Sequence, residues 1–207
     1  MTMEQFIDRV RATCATLEIV PAEMVAWILA MARIESQKSD GSGPTALALY
    51  YWNIFGVHWL AGDERQGYSK VSMPANEFEP KGTWIDYRTY PGLDECILNL
   101  IWHRDESSLY ADLKEHALQA LEDGLPADVV YSTWLQLFYA RWAEGNSHAV
   151  EDIRPLFWGY LGRPAPEPGD GGEKPVKPAK KKGSSSGGGT PGQRKVKVAK
   201  APAQAVS

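Results

Sequence analysis

The chain has 207 residues and a mass of 22.9 kDa, which bounds it to one domain of ordinary size with room for an appendage. An apolar fraction of 43%, with 8 Trp, 9 Tyr and 5 Phe, supports a packed core; the longest apolar run, Met24–Ala32, falls well short of the roughly 20 residues of a membrane span. The net charge of −4 conceals a division, because residues 1–163 carry 13 Lys+Arg against 23 Asp+Glu and residues 164–207 carry 9 against 3.

The N-terminal stretch MTMEQFIDRVRATC mixes acid and base without an apolar centre, so no classical secretion signal is expected. Thr2 with Gln5 forms a capping-box pattern, and Phe6, Val10, Cys14 and Leu17 follow on one helical face. Pro21 suits a first helical position and Glu23 a first turn. The segment MVAWILAMARI after them is apolar nearly all round, which predicts a helix buried inside the core. Gly41-Ser-Gly-Pro44 breaks the pattern. From about Tyr68 to Tyr90 the residues alternate around Pro80-Lys81-Gly82, predicting a small antiparallel lobe.

Helical patterning returns at Leu93–His103, Leu109–Leu121, Ala127–Trp142 and Ala149–Tyr160, with Asp94, Ser107 or Ser108, and Ser147 as candidate N-caps. Pro126 opens one of these helices, and Pro155 is expected to break or kink the last. The organisation expected is an α+β body over 1–163, mainly helical, and a disordered basic tail over 164–207. The tail is rich in Pro, Gly, Ser and Lys and lacks aromatic residues, so it buries too little to order itself. Its charge suits an anionic partner, a wall polymer or a nucleic acid.

Cys14 and Cys96 belong to no CxxC, and neither they nor the four histidines have metal-ligand spacing, so no metal and no cofactor are expected. Both cysteines are expected to be small buried apolar residues. No GxSxG, Walker or GxGxxG pattern is present.

Glu35 is the candidate for chemistry. It closes the buried apolar helix, where apolar surroundings and the negative end of the helix dipole both favour the protonated carboxyl. A carboxyl that holds its proton near neutral pH can act as a general acid. A glycosidase commonly needs a second carboxylate across the bond, and the lobe offers Glu77, Glu79 and Asp86. Aromatic residues crowd the same regions, Trp84, Tyr87 and Tyr90 among them, and their flat apolar faces suit sugar rings as well as core packing. Trp27, Trp102 and Trp134, on helices, are expected in the core.

These residues together resemble a known family. ILAMARIES (28–36), NIFGVHW (53–59), NEFEPKG (76–82), YRTY (87–90) with LDECILNLIW after it, and more loosely FYARWAEGNSHAVEDI (138–153) are similar, in order and spacing, to segments of bacterial glucosaminidases related to the flagellar peptidoglycan hydrolase domain. The resemblance covers about residues 20–160. It implies a lysozyme-like fold with a small β-lobe and cleavage of peptidoglycan glycan strands after N-acetylglucosamine. It also implies Glu35 as general acid and Glu77 as the second acidic residue, with Tyr139 and Tyr90 at the family's late and strand tyrosines and Asn53 shaping the loop beside the cleft. Trp84 and Tyr87 join Asn53, Tyr90 and Tyr139 as expected substrate contacts. Gln37-Lys38-Ser39, Ala75 and Arg141-Trp142 depart from the family pattern. The work implied is at the bacterial cell wall, in a phage lysin or virion-associated hydrolase. The alternatives are a lytic transglycosylase using Glu35 alone and a non-catalytic glycan-binding or assembly protein.

Overall fold

The computed structural model describes residues 1–75, 82–102, 108–142 and 147–166. All lie in the first of the two units into which the chain divides, Met1–Lys174. The tail expected from Pro164 falls outside the described residues after Pro166.

Helix α1 (Met3–Thr16) begins on the expected capping box: Thr2 accepts from the Gln5 amide, and Gln5 accepts from the Thr2 amide at 2.9 Å. These two bonds satisfy donors the first turn would otherwise leave open. Its stripe of Phe6, Val10 and Cys14 is fully buried. Helix α2 (Ala22–Ser36) starts one residue after Pro21 and is the axis of the core, every residue from Ala26 to Ala32 being buried. A helix apolar on all sides must be surrounded. Here α1, α6 (Ala127–Trp142) and α7 (Ser147–Leu161) pack on it. Trp27 stacks on Trp134 with ring centres 5.0 Å apart, and Phe138 meets Trp27 edge-on.

After α2 the chain turns back through the expected break, with Gln37 bridging to Pro44 and the Lys38 amide donating to the Gly43 carbonyl. It then forms α3 (Ala46–Tyr51), a six-residue helix that the sequence reading did not anticipate. Thr45 caps it, its hydroxyl accepting from the Ala48 amide. A short 3-10 turn, Asp63–Gln66, leads into the lobe. Strands β1 (Ser69–Ala75) and β2 (Thr83–Thr89) pair antiparallel from Ser69 opposite Thr89 to Ala75 opposite Thr83. The expected architecture of a mainly helical body with a small antiparallel lobe is therefore present.

Helices α4 (Leu93–Trp102) and α5 (Ser108–Glu122) complete the body. Asp94 and Ser147 stand inside the first turns of α4 and α7 rather than at their caps, Ser108 is the first residue of α5, and Ser107 lies outside the described residues. Pro155 does not break the last helix: α7 continues through it to Leu161. Its ring faces solvent while Ile153, Phe157 and Trp158 are buried on either side, so core packing outweighs the backbone bond lost at the wet face. Arg163 just beyond α7 reaches Asp128 at 3.0 Å and Glu23 at 3.7 Å, tying the end of the body to the first turns of α6 and α2.

Cys14 and Cys96 are free and buried as expected. Burial pushes the Cys14 thiol up to about 11 and the Cys96 thiol up to about 12. Neither thiol should react with iodoacetamide at pH 8 in the folded protein, and both should react in guanidinium; native-state labelling would contradict the burial. The same groups make stability fall in alkali. Above about pH 9 the unfolded chain releases protons that the folded chain retains, so stability drops until the folded values are reached. Each thiol costs on the order of 1 kcal/mol at pH 10. Urea midpoints measured from pH 8 to 10 check this, and a flat profile would contradict it.

Among the described residues, no helix is long and apolar enough to cross a membrane, and no group of His, Cys, Asp and Glu could hold a metal ion.

Candidate active site

Glu35 is the penultimate residue of α2 and is half-buried. The buried run Ala26–Ala32 fixes the helix in the core and delivers its last turn to the edge. Among the described residues, three groups stand around it. Tyr139, on α6, donates its hydroxyl to the Glu35 carboxylate. Gly56 lies against the carboxyl, close enough that a Cβ there would be 3.8 Å from Glu35 Oε2. Ser36, the next residue and fully buried, donates its Oγ to the Ile54 carbonyl at 2.8 Å and so holds the 53–57 turn against the end of α2.

Tyr139 is 3% exposed. Burial, then the neighbouring Glu35 charge, the bond to it, and Asp152 all hold its hydroxyl well above the usual tyrosine range. It therefore stays protonated and serves Glu35 as a donor. The sequence placed Glu35 in apolar surroundings; the site combines a buried helix with this polar partner from α6.

Asn53 is 1% exposed, and both hydrogens of its amide are committed, to the Val57 and Arg88 carbonyls at 2.8 Å each, while its Oδ1 accepts from the Val57 amide at 2.9 Å. It shapes the turn, as the resemblance implied, and the expectation of a direct substrate contact is corrected, because neither N–H is left to offer. Tyr90 is corrected on the same ground. It is buried, with its hydroxyl donating to Asn99 Oδ1 at 2.9 Å, and desolvation holds it above the usual tyrosine range.

Tyr87 is buried too, edge-on to His58 with ring centres 5.2 Å apart, and its backbone bridges to His58. It packs the lobe rather than presenting a face to a sugar. Trp84, opposite Pro74 beside the connection that joins the two strands, is 69% exposed and, among the described residues, is the lobe aromatic most available to a ligand. Trp27 and Trp134 are core residues as expected.

Of the lobe's carboxylates, Asp86 is engaged by Lys70 and Ser72, which hold it below the usual carboxylate range. Glu77 and Glu79 lie outside the described residues, in the connection between Ala75 and Thr83.

A buried polar cluster that hydrophobic periodicity does not reveal joins the lobe to the body. Arg88 is fully buried and grips Asp63 through two parallel bonds of 2.9 and 2.7 Å. Its third bond goes to Asn99 on α4 at 3.0 Å, and its guanidinium lies 4.5 Å from the centre of the Tyr68 ring. Asn99 also donates to the Tyr68 hydroxyl. The Arg88 backbone reaches the candidate site, its amide donating to the Val57 carbonyl and its carbonyl accepting from Asn53. The only sequence signal was a lone arginine between two tyrosines in YRTY.

Comparison with family models, with curated proteins and with solved structures finds no match to this chain.

Proposed function

We propose that the chain is a peptidoglycan glycoside hydrolase of the endo-β-N-acetylglucosaminidase type, built on a lysozyme-like body, with Glu35 as its general acid. The observation that carries the reading is the half-buried carboxyl of Glu35 at the end of a core helix, with the side-chain-free Gly56 beside it. The order of the family-like segments along the chain supports the same reading.

In this mechanism protonated Glu35 gives its proton to the glycosidic oxygen as the bond from C1 to that oxygen breaks. The departing sugar leaves as a neutral alcohol. Water then adds to C1, and its surplus proton passes to a carboxylate, for which Glu77 is the candidate. Exposed Trp84 offers a flat face to a neighbouring sugar ring.

The engagement of Asp86 by Lys70 and Ser72 favours one second reading, a lytic transglycosylase that uses Glu35 alone. Mass spectrometry of fragments released from purified peptidoglycan separates the two. Hydrolysis yields fragments ending in reducing N-acetylglucosamine. Transglycosylation yields an anhydro sugar lighter by one water. Release of no fragment from several wall types, with the protein retained on the wall, would move the assignment to a glycan-binding module.

A further inference from the structure

We propose that Ser36 and Asn53 are positioning residues that hold Gly56 as a side-chain-free wall of the Glu35 carboxyl; the catalytic part of this inference rests on the general-acid reading of Glu35. The turn from Asn53 to Val57 is pinned on both sides by buried side chains. Ser36 Oγ bonds the Ile54 carbonyl on the α2 side. The Asn53 amide closes on both backbone groups of Val57 and reaches the Arg88 carbonyl on the β2 side. Ile54 and Phe55 are fully buried between these fastenings. The turn thus bridges the end of α2 to the lobe and sets the half-buried Gly56 beside the Glu35 carboxyl.

Gly56 has φ +66°, a conformation that disfavours any residue with a Cβ, and its missing Cβ would stand in van der Waals contact with Oε2. A glycine at this position leaves beside the carboxyl the space that a Cβ would take, room that a leaving group needs. A proton donor must be held within a fraction of an ångström of its target, and a misplacement of about 1 Å costs on the order of 10²-fold in rate. Among the described residues, Tyr139 from α6 and, through Tyr139, Asp152 from α7 are titratable groups that bear on Glu35 and its donor.

The test compares Gly56→Ala and Ser36→Ala with Gly124→Ala. Gly124 has a similar positive φ of +83° but open space around it, so its variant carries the backbone strain without the contact. Fragment release from peptidoglycan is expected to fall at least ~10-fold in kcat for Gly56→Ala and Ser36→Ala, with KM changed less. Ser36→Thr, which keeps the hydroxyl, should recover most of the rate, and Gly124→Ala should lose thermal stability only.

A second readout does not need turnover. Glutamate labelled with 13C at the carboxyl, with Glu35 assigned by its absence in Glu35→Gln, reports the carboxyl's titration directly. A methyl at position 56 desolvates Oε2, so the midpoint should move up in Gly56→Ala and stay unchanged in Gly124→Ala. An unchanged midpoint in folded Gly56→Ala, or wild-type kcat in both site variants, would overturn the positioning role. An inactive wild-type protein with a shifted midpoint would sink the general-acid reading while leaving the wall intact.

Discussion

Replacing Arg88 with Met should destabilise the protein by about 3–5 kcal/mol, read as a lower urea midpoint with an unchanged slope. The cause is the charge left behind. Asp63 is 1% exposed, and its carboxylate accepts from Arg88 Nε and Nη2 as well as from the Leu60 amide at 3.0 Å. Without the guanidinium it becomes a buried anion with one donor. The Asn99 oxygen loses a partner as well, although the Tyr90 hydroxyl still donates to it. Replacing both partners, Arg88→Met with Asp63→Leu, should return part of the loss, because two apolar side chains leave no orphaned charge. Wild-type stability in the single variant would show that water reaches Asp63 and that the cluster is not a sealed one.

That cluster also shows where sequence reading stops. Hydrophobic periodicity declares how one element is buried, and it served well where an element's own residues decide its fate. The all-apolar run in α2 announced the core axis, Thr2 and Gln5 announced the first turn, and alternation around Pro80-Lys81-Gly82 announced the hairpin. Pairings across distance carry no such mark. Asp63 and Arg88 are 25 residues apart, Arg88 and Asn99 are 11 apart, and each alone reads as a surface residue. Asn53 and Tyr90 are expected at the cleft through the family resemblance, and a resemblance of segments says nothing of the buried partners, Val57, Arg88 and Asn99, that occupy their polar atoms. Helix α3 was missed because six residues are too few to display a period. Pro155 does not end α7 because the side chains anchoring both flanks outweigh the one backbone bond it removes.

The position of Glu35 at a helix end is legible in the sequence, whereas only the fold brings Tyr139, 104 positions away, and Gly56 against its carboxyl. These partners lead to the sharpest expectation for the site. Glu35→Gln should lower fragment release from peptidoglycan by about 10²–10⁴-fold, the usual contribution of a general acid. Its thermal stability should stay close to that of the wild type. The amide matches the carboxyl in shape, its oxygen can still accept from Tyr139, and the position is half-buried with water within reach. Binding to intact walls should persist, since the proton and not the shape has been removed. Tyr139→Phe should act differently. A hydrogen bond donated to a carboxylate favours its charged form, so losing that donor lets Glu35 keep its proton to higher pH. The alkaline limb of the pH–rate profile should therefore move to higher pH in Tyr139→Phe. If instead Glu35→Gln releases fragments at the wild-type rate, the proton comes from elsewhere and the Tyr139–Glu35 pair is a packing contact at the end of α2.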